Sequence, residues 1–551
     1  MTPPRQRLSK AGSRYAGVRE SLRDRAAPFL GVDPRALGAF RIAVALVLLW
    51  DLLVYRLPGV SAFYTDDGVL PRSTLAEAYP LLETVSIHAL SGSARVQTGL
   101  LAIAACAAVC LLVGYRTRAA TGVSLVLLAS LYARNPYVLN GGNTILVVLL
   151  LLSLSLPLDA RWSLGAGRRG GDTDRGDAER EADDTDRSDA EGSEADEPDG
   201  GADPRLCSVG TAVTLLTLVS IYTANAVSKY RSDTWMSGGA VPQIFQLEEF
   251  VVRLGPFVSE HTVVLEAINW LWIALLSASV LLVVATGRLR AAGALAFVSA
   301  HLGMAATMRL GVFPFVMIAV LLLFLPPGVW TLVEAATPTL RGPSHRAEAD
   351  PTYRSDGGSA TGPDRGDGEL ATGPDRGDGE LATESASPTP SRARRGVRAG
   401  ATLLLVGFFL ALVWWQAAGV GLVDLPASES GGELSEVSWS FFAPNPPDAS
   451  GWYVLRGTLE SGDAIDVRDG RAATYDRPPD AAETYPTTLW HQFGFRMKNA
   501  GESQYRPLAA YVCERSDRSV ASVTVFHVEQ PVGPNGPVGE PEAEERTRVA
   551  C

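Results

Sequence analysis

Five positions in this sequence carry polar or ionisable groups inside, or at the edge of, long apolar runs: Arg41, Asp51, Asn143, Lys229 and His301. An ionisable group at mid-bilayer costs about 2.5–3.5 kcal/mol to insert, so each such group calls for a reason. Lys229 is the most telling. The chain has only three lysines, Lys10, Lys229 and Lys498, and otherwise uses Arg for its cations. Arg cannot readily lose its proton and Lys can, so a Lys kept at the end of an apolar run suits a base; snorkelling of its ammonium to the headgroups is the alternative. His301 could exchange protons, or sit as a neutral imidazole hydrogen-bonded between helices. Arg41 and Asp51 are ten residues apart, which on a helix is about 80° short of three turns. They therefore lie on adjacent faces, and each needs a partner on another helix or a route to the interface. Asn143 closes a Gly-Gly-Asn turn that could equally be a helix start. None of these groups has the spacing of a metal site, a nucleophile elbow or a phosphate loop.

The elements that must position them are apolar helices. Among 551 residues, 47% are apolar and 20% charged, and mean hydropathy is slightly positive although long stretches are almost wholly polar. The rest is greasier than a soluble core requires, which excludes a single soluble globular enzyme. Nine runs are long enough, or nearly so, to be read as bilayer spans: Ala36–Tyr55, Val96–Gly114, Ala119–Ala133, Thr144–Leu158, Leu206–Ser228, Val263–Thr286, Ala291–Met308, Val312–Val333 and Gly400–Val423. The third and fourth are short and could form a tight hairpin. Arginines cluster in alternate connections, beginning with a basic N-terminus (1–35), which places that end in the cytoplasm by the positive-inside rule. Nine spans then put Asp424–Cys551 outside. The expected fold is mainly α: a polytopic bundle with spans one to eight over 36–334, a linker at 335–399, a ninth span at 400–423 and a small β-rich extracytoplasmic domain at 424–551.

Two connections are low-complexity. Gly165–Pro204 holds 15 acids against five arginines and too few large apolar residues to fold. The linker carries ATGPDRGDGEL twice, at Ala360–Leu370 and Ala371–Leu381, which reads as slippage in a spacer. In the outer region, Trp452–Leu459 and Ala464–Val467 flank a Glu460-Ser-Gly-Asp463 turn and predict a hairpin, and Ser519–Val528 alternates as a strand. The sequence leaves open whether Cys513 and Cys551 pair. With 48 basic against 60 acidic side chains, the chain lacks the basic footprint of a nucleic-acid binder. The acidic, Lys-poor balance fits a high-salt cytoplasm or a GC-rich genome.

These residues fall in blocks that resemble a known family. Asp33-Pro-Arg-Ala-Leu-Gly-Ala-Phe-Arg41, Asp51 and Phe63-Tyr-Thr-Asp-Asp-Gly-Val69 resemble the opening of the HTTM domain, the membrane domain of vitamin K-dependent gamma-carboxylases and their prokaryotic relatives. Further similar blocks follow in order: Gly114-Tyr-Arg116, Tyr137-Val-Leu-Asn-Gly-Gly-Asn143, Asn225-Ala-Val-Ser-Lys229 with Trp235-Met-Ser-Gly-Gly239, and Ser299-Ala-His301-Leu-Gly-Met304 with Gly311-Val-Phe-Pro-Phe-Val316. Trp439-Ser-Phe-Phe-Ala-Pro-Asn-Pro446 and Gly451-Trp-Tyr453 resemble the start of the outer domain in prokaryotic members. The resemblance covers most of 33–334 outside the acidic loop, and 424–530 more loosely.

It implies a membrane enzyme that uses a reduced lipid quinone, here a menaquinone-like quinol. Lys229 would be the base, which requires that burial disfavour its charged form. His301 and Asn143 would orient the reacting groups, with Arg41, Asp51 and Trp235 among the cofactor contacts. Where the carboxylases carry a second functional histidine, this chain has Asn140-Gly-Gly-Asn143, and Asn cannot exchange protons near neutrality. The outer domain is also smaller than the carboxylases' substrate-binding portion. Both departures argue against full gamma-glutamyl carboxylation. The competing expectation is a non-catalytic anchor whose Trp-containing stretch Val437–Tyr453 presents the outer domain to an extracytoplasmic protein partner.

Overall fold

The structure, a computed structural model, describes residues 21–164, 205–337, 392–423, 439, 441–516 and 518–551. The first 20 residues of the basic N-terminus, the acidic loop, most of the linker and residues 424–438 lie outside the described residues.

The chain is mainly helical, and every apolar run is a helix. The first, α1 (Pro34–Trp50), starts where Asp33 Oδ1 accepts from the Arg35 amide at 2.8 Å and Pro34 supplies the fixed φ of a first turn. It continues through a π-helical turn, Asp51–Arg56. Then come α2 (Ala94–Val113), α3 (Thr117–Arg134), α4 (Gly141–Ser153), α5 (Val209–Tyr230), α6 (Thr262–Ser277, prolonged by short turns to Val284) and α7 (Gly287–Thr307). Next are α8 (Phe313–Leu321), α9 (Pro327–Ala336) and α10 (Arg392–Gly419). Among the described residues, six helical segments are long and apolar enough to cross a membrane: Pro34–Arg56, Ala94–Val113, Val209–Tyr230, Thr262–Val284, Gly287–Thr307 and Ala399–Gly419.

The remaining three runs differ from nine simple spans. Helix α3 is 18 residues long but insufficiently apolar, and α4 has only 13 residues. The run Val312–Val333 is not straight. It breaks at Leu325-Pro326 between Phe313–Phe324 and Pro327–Ala336, which are bent by 107°. Pro lacks the amide that would continue the helix and restricts the residue before it.

Leu46, Leu53, Val54, Ile103, Leu271, Leu302, Leu403 and Leu404 stand exposed on the helices, an apolar exterior suited to lipid contact. Inside, the helices close on Phe40, Leu146, Leu215, Phe297, Phe324 and their neighbours.

The C-terminal region is an antiparallel sheet with two helices. It comprises β1 (Ala449–Leu459), β2 (Ala464–Asp466), α11 (Thr488–Met497), α12 (Glu502–Arg515), β3 (Val520–Gly533), β4 (Gly536–Pro537) and β5 (Glu542–Ala550). The order is β2-β1-β3-β4, with β5 also on β3. The expected hairpin is present, Gly457 facing Ile465, and β3 pairs with β1 in the register Trp452–Val528. Cys513 and Cys551 form a disulfide that ties the end of α12 to the residue after β5.

Candidate functional site

Apart from Arg41, the polar residues of the bundle separate into three places. Asp51 lies in a closed network. Its carboxylate accepts from Arg56 Nε at 3.1 and 3.2 Å and from the Tyr132 hydroxyl at 2.9 Å. Arg56 also donates to Tyr64 Oη at 2.8 Å and to the Val138 carbonyl at 3.2 Å. Asn143 Nδ2 donates to Tyr132 Oη at 3.0 Å, and its Oδ1 accepts from the Asn140 amide at 3.0 Å. That second bond is half of a reciprocal capping box, because Asn140 Oδ1 accepts from the amides of Gly142 and Asn143. Asn143 is thus both a helix start and a member of a buried network. Removing one partner of such a pair leaves an uncompensated buried charge, typically costing about 3–5 kcal/mol. Arg41 is elsewhere, donating to the carbonyls of Leu158 at 3.2 Å and Trp162 at 2.5 Å.

Lys229 is the second place. It is 1% exposed at the end of α5, with its Nζ 4.3 Å from the Trp235 ring centroid and donating to the Phe441 carbonyl at 3.1 Å. No carboxylate pairs with it among the described residues. Phe441 belongs to a strap, Trp439 and 441–447, that connects α10 to β1 and crosses the end of α5. Four more side chains from 225–243 fasten it. Asn225 donates to the Trp439 carbonyl at 3.0 Å, Trp235 Nε1 to that of Phe442 at 2.8 Å and Gln243 to that of Pro447 at 2.9 Å, while Ser232 bonds the Asn445 side chain. Trp439 in turn donates to Thr144 Oγ1 on α4 at 2.8 Å.

His301, the third place, is fully buried. Its Nε2 is 3.0 Å from the Tyr222 hydroxyl, and its Nδ1 has no partner. Phe313 links the three places. Its ring is 5.6 Å from that of His301 and 4.1 Å from that of Phe441. Its backbone presses so closely on α4 that a Cβ at Gly142 would lie 2.5 Å from Phe313 Cα. Lys229, His301 and Asn143 thus lie around one aromatic residue, Phe313, while Asp51 and Trp235 have their polar side-chain atoms engaged within the protein and Arg41 engages its two terminal nitrogens but leaves Nε without a partner.

The sequence reading missed a further group, where the sheet domain meets the bundle. Glu249 and His491 both line a narrow crevice with Tyr485 and Lys498. Glu249 is 4% exposed; burial pushes its carboxyl up to about 7 although the Ser450 hydroxyl donates to it at 2.6 Å. His491 on α11 is 2% exposed, and neither ring nitrogen has a partner. Burial, and secondarily Arg309, pushes it down to about 3. Its ring is 4.5 Å from Phe250 and 5.3 Å from Tyr485. The chain has only six histidines, and that scarcity was the one available signal.

Fold and site define a helical membrane-type bundle carrying a small antiparallel β domain on a strap. Comparison with family models, with curated proteins and with solved structures gives no match.

Proposed function

We propose that this chain is a multi-pass membrane protein of the HTTM type that acts on a reduced lipid quinone at the outer side of the membrane, with Lys229 as the base. Its N-terminus is cytoplasmic, all nine apolar runs lie within the bilayer, and the sheet domain is extracytoplasmic. The observation that carries the reading is Lys229 itself, a buried lysine set between an aromatic face and a single carbonyl, with no carboxylate among the described residues to hold its charge. In such surroundings the neutral amine costs far less than the ammonium, so the group suits accepting a proton from a quinol hydroxyl. Access to Nζ requires the Phe441–Phe442 part of the strap to shift, since its carbonyls now occupy Lys229 and Trp235. In this reading Asn143, Asp51 and Arg41 hold the helices in place, and His301 with Tyr222 lines the far side of Phe313. The Cys513–Cys551 disulfide supports an oxidising compartment for the outer domain.

The test is oxidation of an added menaquinol to the quinone by purified protein in lipid nanodiscs, with dissolved oxygen supplied as the two-electron acceptor. Lys229→Arg supplies N–H donors for the Phe441 carbonyl but cannot readily give up its proton, and turnover is expected to fall at least about a hundredfold. Absence of quinol turnover in the wild type removes the enzymatic reading.

A second reading is favoured by the strap. Lys229, Asn225, Ser232, Trp235 and Gln243 could serve to fix the outer domain for an envelope partner. On that reading Lys229→Arg leaves any activity intact, and its effect is confined to the docking of residues 441–551 and to capture of that partner.

A further inference from the structure

Two cavities meet at one loop on the side of the bundle that carries the sheet domain. The first, about 490 Å³, is a groove with Trp50, Tyr55, Arg253, Phe315 and Thr488 in its wall. The second, about 550 Å³, lies beneath the strap, with Phe250, Phe442, His491, Lys498 and Asn499 around it. Arg309 and Leu310 stand in both walls, so the loop between α7 and α8 divides a groove from a chamber.

The groove continues into the bundle's apolar exterior. Trp50 is 49% and Phe315 41% exposed, beside exposed Leu53 and Val54. Its cations are held in place: Arg253 donates to the Ala305 carbonyl at 3.0 Å and Arg309 to the Tyr485 carbonyl at 3.1 Å. A guanidinium has five N–H donors, so each retains donors for an anion. Deeper in, His491 presents two partnerless ring nitrogens at the chamber wall. An unsatisfied buried polar atom is unfavourable, and the polar part of a ligand would satisfy it.

We propose that groove and chamber form one binding site for an anionic phospholipid. The phosphate sits between Arg253 and Arg309, the polar head reaches past Leu310 to His491, and the acyl chains run along Trp50 and Phe315. The continuity of the groove with the lipid-facing surface and its paired arginines select this occupant. The site rests on the membrane reading alone and is independent of proton transfer at Lys229.

The experiment is native mass spectrometry of the full chain released from nanodiscs holding equal amounts of phosphatidylglycerol and phosphatidylcholine. The wild type is expected to retain phosphatidylglycerol, and Arg253→Gln with Arg309→Gln to lose about tenfold of that retention. Arg253→Gln alone, at an exposed position, serves if the double variant fails to fold. A phosphatidylglycerol analogue carrying a diazirine in its head is expected to crosslink the peptide containing His491 in the wild type and to lose that crosslink in Leu310→Trp. Equal retention of both lipids, or undiminished retention in the Arg variants, overturns the proposal. Displacement of the lipid by soluble glycerol phosphate assigns the site to a free phosphate and overturns it as well.

Discussion

At the scale of single residues, the buried ionisable groups fall into those whose charge is answered and those whose charge is not. Asp51 and Arg56 answer each other; Glu249 and His491 do not, and their opposite shifts make stability depend on pH in opposite senses. The unfolded chain releases the Glu249 proton near 4.5 while the folded chain keeps it to about 7, so this group lowers stability as pH rises through that window. The unfolded chain takes up a proton at His491 below 6.5 while the folded chain resists to about 3, so this group raises stability as pH rises. His527, pushed down to about 4, acts with the imidazole sign. Each slope is about 1.4 kcal/mol per pH unit. Between roughly pH 4.5 and 6.5, Glu249→Gln is expected to make stability climb more steeply with pH than in the wild type, and His491→Gln less steeply. Thermal unfolding midpoints across that range read both slopes, and parallel profiles for all three proteins reject the account. None of this was legible in the sequence. Glu249 in Gln-Leu-Glu-Glu-Phe and His491 in Leu-Trp-His-Gln-Phe look like ordinary surface residues until the two segments, over 200 residues apart, are brought together. Lys229 could be singled out in advance because a lysine is rare in this chain and ends an apolar run; its carbonyl partner could not, because it comes from the other side of α10.

At the scale of elements, apolar run length located the helices of the bundle, since hydropathy over some 20 positions is a strong signal, but it did not separate the six span-length helices from the shorter or broken ones. The failures were local. The bend after Phe324 arises from two adjacent prolines inside a run whose average hydropathy hides them. Strand β5, Glu-Ala-Glu-Glu-Arg-Thr-Arg-Val-Ala, was unreadable because it is a charged strand, a composition that protects sheet edges and masks alternation. The contact between α4 and α8 depends on Gly142, where only hydrogen fits against Phe313. Gly142→Ala is expected to force the helices apart and lower stability by about 1–3 kcal/mol. Denaturant unfolding in detergent measures this, and an unchanged midpoint would show that the helices do not pack there.

At the scale of the whole molecule, the reading rests on which side of the bilayer each end occupies. On the proposed topology the hairpin turn at Ser461 and the start of α7 at Arg288 belong to opposite sides. In a background with Cys106, Cys110 and Cys207 replaced by Ser, Ser461→Cys is expected to react with a membrane-impermeant maleimide in intact cells. Arg288→Cys is expected to react only after lysis. The reverse pattern inverts the topology, and with it the compartment assigned to the disulfide.

The strap has a consequence of its own. Residues 441–447 lie on the chain path from α10 to the sheet, and the Phe441 carbonyl among them also covers the Lys229 amine. A force that tugs the sheet domain away from the bundle therefore cannot spare that amine: its oxygen neighbour, the Phe441 carbonyl, is on the line being pulled, and its aromatic shelter, Trp235, is bonded to the next carbonyl along that line. Whatever grips the far end of the molecule thereby has a handle on its most secluded nitrogen.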